Sequence, residues 1–196
     1  MASQKINSSL KEILQGAAHE VAPRLLGCIL ERELDGQIVR AKIVETEAYD
    51  QTDEASHSFR SETMRTKVMF GEPGFLYVYF TYGMHYCCNV VVGEKGYGAA
   101  VLIRAVEPLT GIEVMEKSRP GKQGIELTNG PAKLCQALAV DKQLNGHDLR
   151  IKPIKLIFEA PVEQKRIIQT TRIGISQAKE KPWRFYLKDS PCVSNK

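Results

Sequence analysis

Residues 75–92 limit the possible folds more than any other stretch. Phe75-Leu76-Tyr77-Val78-Tyr79-Phe80-Thr81 and Tyr86-Cys87-Cys88-Asn89-Val90-Val91-Val92 are two runs of aromatic and β-branched residues, separated only by Tyr82-Gly83-Met84-His85. Such residues favour extended backbone, and two runs across a short glycine-bearing link predict an antiparallel hairpin. A second hairpin follows from Cys28–Leu34 and Gln37–Tyr49, joined by Asp35-Gly36, a dipeptide suited to a tight primed turn. Gly98–Val106, Leu149–Phe158 and Trp183–Leu187 read as further strands.

Helical signals are short. Ser9-Leu10-Lys11-Glu12 is a capping box, followed by Ile13, Leu14 and Ala17 on the face of Leu10. Glu20–Leu26 reads as a second helical piece ended by Gly27, and Pro131–Val140 as a third with proline in its first turn. Pro161–Thr170 is expected to be a short helix, and Ser118–Glu126 an exposed loop. Hairpins interspersed with short helices predict an α+β fold: one compact domain over residues 9–196, with a curved, mostly antiparallel sheet and a protruding hairpin, behind a loose tail at residues 1–8.

Several residues do not fit a purely structural role. Hairpin tips are usually Asn, Asp and Gly, but here Tyr82 and Met84 flank Gly83. An apolar tip either packs under a neighbouring loop or acts as the wedge that minor-groove proteins push between base steps. Tyr77 and Tyr79 share one strand face, as core aromatics or as the walls of a pocket. Glu45 and Glu47 interrupt the apolar run Ile43-Val44-Glu45-Thr46-Glu47-Ala48-Tyr49. That pattern suits a strand with one face in solvent, a carboxylate serving as general base, or an acid/base pair of the glycoside-hydrolase kind. Asn129-Gly130-Pro131-Ala132-Lys133 opens a helix with free amides and a lysine. Arg104 ends an apolar strand segment and needs an anion if it points inward, and His57 sits in a loop just after the two glutamates.

Charge and cysteine usage narrow the class. The net charge is +4, but residues 111–188 carry 15 positive and 8 negative side chains while residues 40–107 carry 7 and 9. A basic part beside a slightly acidic one suits a polyanion held on one surface with chemistry on another. The five cysteines (Cys28, Cys87, Cys88, Cys135, Cys192) have neither zinc spacing nor a paired pattern, and no signal core or membrane-length run is present; a cytoplasmic location is expected.

Taken in order, the segments resemble the methylpurine (alkyladenine, 3-methyladenine) DNA glycosylases of base-excision repair. The likeness is carried by Ile43–Tyr49, Glu54-Ala55-Ser56-His57-Ser58, Thr63–Phe70, Pro73–Tyr79, Tyr82-Gly83-Met84, Cys88-Asn89, Val101–Pro108, Gly130–Leu138, Arg172-Ile173-Gly174, Trp183-Arg184-Phe185-Tyr186 and Ser190-Pro191. It implies an enzyme that flips a damaged purine, alkylated or deaminated as in hypoxanthine, out of duplex DNA. The enzyme then hydrolyses the N-glycosidic bond and leaves an abasic site. Residue by residue, the resemblance makes Glu47 the general base, with Arg104 and the Ile173 main-chain carbonyl holding the water. Tyr49, His57, Tyr79 and Asn89 enclose the base, and Tyr82 is the intercalating wedge. Thr63, Arg65, Met69, Met84, His85, Gly130 and Lys133 are candidate DNA contacts, and Glu45 has a supporting role. It further implies a monomeric bacterial-type enzyme with double-stranded DNA as partner, using no metal or cofactor and no membrane. Two rivals remain at this level: a non-catalytic nucleic-acid-binding module, and a nucleoside or glycoside hydrolase using Glu45 and Glu47. The chain departs from the family pattern in three places: the loop Asp50–Ser56 is a residue short, Thr66 replaces a common Asn, and Cys88 replaces a bulkier residue.

Overall fold

The structure is a computed structural model and describes residue 10 and residues 12–81 and 83–194. The hairpin grammar of the sequence produces a nine-stranded sheet whose pairings are all antiparallel. In chain order the strands are β1 (Ile29–Leu34), β2 (Gln37–Asp50), β3 (Phe75–Thr81), β4 (His85–Val91), β5 (Ala99–Thr110), β6 (His147–Asp148), β7 (Ile154–Ile157), β8 (Ile167–Thr170) and β9 (Arg184–Leu187). They lie side by side as β6-β3-β4-β5-β2-β1-β7, with β9 pairing β2 beyond the end of β1, and β8 pairing β9. The sheet therefore forks along β2. That strand meets β1 through residues 37–42 and β9 through Glu45, Thr46 and Glu47.

The first hairpin turns at Asp35 and Gly36, both at positive φ as a primed two-residue turn requires. The described helices are short: α1 (Ala18–Val21) continues into a 3-10 turn over Ala22–Leu25, and α2 (Ile112–Ser118) and α3 (Pro131–Ala137) follow. The capping-box residue Ser9 and the expected tail lie outside the described residues. No helix among the described residues is long and apolar enough to cross a membrane.

Two expectations need correcting. Of the strand expected over Leu149–Phe158 only Ile154–Ile157 forms, residues 149–153 being turns and a bend. Pro161–Thr170 is not a helix: a 3-10 turn at Gln164–Arg166 leads into β8, because Ile167 and Ile168 find a partner in β9. The exposed stretch after Ser118 is as expected, but α2 before it carries too few apolar residues to announce itself.

Strand alternation sorts side chains onto two faces. Leu76, Val78, Cys88, Val90, Val101 and Ile103 point to one face and join the main core with Leu134, Cys135, Leu138 and the first helical segments. Tyr77, Tyr79, Cys87, Asn89, Leu102 and Arg104 point to the other face, where a cavity opens. Two opposed bulges adjust this alternation at the β2–β5 contact. Val44 on β2 and Arg104 on β5 have no direct cross-strand partner, since pairing passes from Ile43↔Val106 to Glu45↔Ala105 and then to Thr46↔Ile103. Bulges bend a strand and redirect side chains, so Ile43 and Val44 both enter the core although they are consecutive.

Candidate active site

The cavity has a volume of about 480 Å³. Its floor comes from the middle of the sheet through Cys87, Asn89, Leu102 and Arg104, and its sides from Glu47 and Tyr49 on β2 and Tyr77 and Tyr79 on β3. In the sheet, β2 and β3 are separated by β4 and β5. Three spacings of about 4.8 Å set the two walls roughly 14 Å apart at the backbone, leaving room between them for flat side chains or a flat ligand. His57 and Ile173 from loops, and Pro131 at the start of α3, close the ends.

Glu47 belongs to the cavity wall although its side chain is sealed from bulk solvent. Its Oε1 accepts the Ile173 N–H at 2.8 Å; its Oε2 accepts the Tyr49 hydroxyl at 2.8 Å and lies 3.2 Å from Arg104 Nη1. Three donors fix the orientation of the carboxylate, and charge-assisted bonds of this kind are the stronger ones. Burial first, and then the adjacent Glu47 charge, push the Tyr49 hydroxyl far above its ordinary range, so it stays a donor. The resemblance assigned the Ile173 carbonyl to the water; the geometry adds a role for its N–H, as a holder of the base.

Arg104 joins both glutamates, with its Nε 3.1 Å from Glu45 Oε1. Burial alone would lower its basicity, but Glu47 and Glu45 outweigh that and hold it above the usual guanidinium range. Glu45 is fully buried and does not line the cavity. It also accepts from Arg184 Nη1 at 2.8 Å and from the Ser194 N–H at 2.7 Å and hydroxyl at 3.0 Å. The solvent-facing strand reading is thereby overturned for both carboxylates, and the two-carboxylate reading loses its second member. Glu45 spends its acceptor capacity on Arg104, Arg184 and Ser194.

On the aromatic side, His57 meets Tyr79 edge-on at 4.5 Å between centroids, and Tyr77 and Tyr79 stack at 5.7 Å. His57 Nδ1 lies 3.1 Å from the Tyr77 hydroxyl and its Nε2 lies 3.5 Å from Arg65 Nη2. A guanidinium only donates, so this pairing puts the imidazole proton on Nδ1. Burial against the tyrosines, then the charge of Arg65, hold His57 below its ordinary range, and it is neutral at pH 7. Asn89 is pinned, its Nδ2 donating to the Tyr77 carbonyl at 3.1 Å. Burial raises the Cys87 thiol to about 11 despite the Tyr79 hydroxyl beside it, so it is a wall group and not a thiolate.

The cavity thus gathers Glu47, Tyr49, His57, Met69, Tyr79, Asn89, Arg104 and Ile173 from the sequence candidates. The others sit outside it. Arg65 is at the rim, with its guanidinium 5.6 Å above the Tyr79 ring. Thr63, itself exposed, bonds the buried Thr66, and Met84 is exposed at the hairpin tip. His85 closes the hairpin opposite Thr81, its Nδ1 buried with no hydrogen-bond partner among the described residues. Gly130 precedes α3, where Lys133 bonds Asn129 at 2.6 Å. Tyr82 lies outside the described residues. Among those residues, no group of three or more His, Cys, Asp or Glu is placed to hold a metal ion.

Sequence reading left two participants without a role of their own and offered a third, Tyr77, only the choice between core and pocket wall. Tyr77 was visible as the same-face neighbour of Tyr79. Arg184 opens β9 among apolar residues, the signature already seen at Arg104. Arg172 stood in the family-like run Arg172-Ile173-Gly174, but nothing local pointed to its ion pair with Asp53, 119 residues away.

Comparison with known proteins assigns the chain to a family. The family model described as "Methylpurine-DNA glycosylase (MPG)" matches residues 12–191. A protein of Carboxydothermus hydrogenoformans is 55% identical over 177 residues, covering 90% of this chain and 93% of that protein. One from Desulfitobacterium hafniense is 49% identical over 189 residues, covering 90% and 93%. A Francisella tularensis protein is 45% identical over 192 residues, covering 96% of this chain and all of its own. Each bears the name "Putative 3-methyladenine DNA glycosylase". A match of this length and identity, on a sheet that builds one buried, triply held glutamate into an aromatic cavity, means that the chain belongs to the methylpurine-DNA glycosylase family, hydrolases of N-glycosyl bonds in DNA.

Proposed function

We propose that this enzyme extrudes alkylated or deaminated purines from double-stranded DNA and hydrolyses the C1′–N bond with a water activated by Glu47, leaving an abasic site. The observation that carries the reading is the Glu47 carboxylate, immobilised by Ile173, Tyr49 and Arg104 on the wall of a cavity that Tyr77, Tyr79 and His57 also line. A purine stacks on Tyr and His rings, and cation–π attraction favours bases that alkylation has made positive.

In the reaction, the C1′–N bond breaks with its electron pair passing to the base, and positive charge grows on the sugar. Glu47 stabilises that charge and takes a proton from the water as its oxygen bonds C1′. Arg104 keeps the carboxylate pointed at the water. A cationic alkylpurine leaves as a neutral base and needs no acid; a neutral base such as hypoxanthine takes a proton from solvent. A neutral His57 adds no repulsion against a cationic base, and Asn89 crowds the exocyclic amine of normal guanine. Tyr82 fills the vacated place in the stack, and Met84, His85, Thr63, Arg65, Met69, Gly130 and Lys133 hold backbone and groove, setting register and not base choice. The enzyme acts as a monomer.

The test is release of free base from duplex DNA treated with dimethyl sulfate. Glu47→Gln keeps the shape of the side chain and removes its basicity; excision falls about 100- to 10,000-fold while affinity for the duplex persists. Excision at the unaltered rate refutes the assignment of Glu47. A Glu47→Gln enzyme that neither excises nor binds would point to lost folding, which far-ultraviolet circular dichroism checks.

A further inference from the structure

Outside the cavity lining lies a second buried ion pair that the reaction as described does not use. The Arg172 side chain and Asp53 are both fully buried. Arg172 Nη1 donates to Asp53 Oδ2 and, at 2.8 Å, to the Ala48 carbonyl; Nη2 donates to Asp53 Oδ1 at 2.9 Å and to the Ala178 carbonyl at 3.3 Å. The guanidinium lies 4.7 Å from the centre of the Tyr49 ring and 5.3 Å from that of Trp183. Trp183 in turn stacks on His19 at 5.1 Å, and its carbonyl accepts the Ala48 N–H at 2.9 Å. Both backbone groups of Ala48, the residue between Glu47 and Tyr49, are thus tied to the segment 172–183. The residue after Arg172 is Ile173, whose N–H holds Glu47.

We propose that Arg172, clamped by Asp53, is a positioning residue of the glycosylase: it docks the 172–183 segment on β2 so that the Ile173 N–H orients the Glu47 carboxylate while its guanidinium backs the Tyr49 ring. The proposal rests on Glu47 being the base. Generic packing does not account for the arrangement. An apolar residue would fill the space without presenting four acceptors with donors in one plane; only Nε of the guanidinium is buried without a partner among the described residues, and burying a charge costs stability unless most of its contacts are met. Lysine cannot replace it, since a point ammonium neither bonds in a fork nor lies flat on a ring. Asp53 has a further cation, Lys181 Nζ at 3.6 Å, so truncating Arg172 does not strip its charge of every partner.

The experiment measures single-turnover release of free base from the dimethyl sulfate-treated duplex, with duplex affinity and the urea midpoint recorded for each variant. In Arg172→Lys, affinity stays within about twofold while the single-turnover rate falls by about tenfold to 100-fold, the penalty of misplacing a reacting group by about 1 Å. Asp53→Asn shows the same split. In Arg172→Ala, guanidinium chloride restores part of the rate relative to sodium chloride at equal concentration, as it reoccupies the vacated slot. A rate within about twofold of the parent in Arg172→Lys, a parallel fall of rate and affinity, or the absence of guanidinium rescue in a folded Arg172→Ala each overturns the proposal. Glu47→Gln runs alongside. Full excision by that variant refutes the base assignment itself, whereas an inactive Glu47→Gln with an unimpaired Arg172→Lys refutes only the role of Arg172.

Discussion

Glu45 and Glu47 stand two residues apart on one strand and have different environments. Glu47 keeps one side on the cavity; Glu45 is enclosed by Arg104, Arg184 and Ser194. Removing the Glu45 charge takes a buried carboxylate from both Arg104 and Arg184, and breaking a buried pair in this way costs about 3–5 kcal/mol. Glu45→Gln therefore lowers the urea midpoint markedly and also impairs excision, because Arg104 loses one of the two carboxylates that hold it. A midpoint within experimental error of the parent would contradict this account. Sequence alone showed that these carboxylates sat oddly in an apolar strand, but nothing in residues 43–49 says which of them faces the cavity. That choice depends on bulges whose extra residues, Val44 and Arg104, lie on different strands.

At the scale of elements, β1 is held between β2 and β7 by a cross-strand triad. Glu31 sits directly opposite Arg40 on β2 and Lys155 on β7, with contacts of 2.7 and 2.6 Å. Lys155 chiefly, and Arg40 after the opposing effect of burial, lower the Glu31 carboxyl below its ordinary range. A carboxyl with a depressed folded pKa contributes stability in full above its unfolded value of 4.5 and loses it as pH falls through the lower folded value. Glu31→Gln therefore costs roughly 1 kcal/mol at pH 7, a figure reduced by the solvent exposure of Arg40, and almost nothing near pH 2. Urea titrations at the two pH values check this; an equal loss at both would remove the ionic explanation. Hairpins were the legible elements, because Asp35-Gly36 and the β-rich runs act over neighbouring residues. β8 was read as a helix because Ile167 and Ile168 become a strand only when β9 arrives to pair with them.

For the molecule as a whole, residues 111–188 carry a surplus of positive side chains, which attracts a polyanion such as duplex DNA. Binding to undamaged duplex therefore weakens steeply with salt, log affinity falling linearly with log salt by about 0.9 for each phosphate contacted. Lys133→Ala reduces that slope by about one for every sequence alike; an unchanged slope would remove Lys133 from the interface.

The sequence by itself determined the strand alternation, the turns, the antiparallel α+β class and the presence of carboxylates, arginines and aromatics out of keeping with a plain core. These properties are written in residues that are neighbours in the chain, where backbone preference and solvent transfer act directly. Tertiary structure alone decided which glutamate faces the cavity, that Ser194 closes over Glu45 from 149 residues away, and that Arg172 reaches Asp53 across 119. Burial gives such pairings their strength, and a charge has no low-dielectric surroundings until the whole sheet has closed around it.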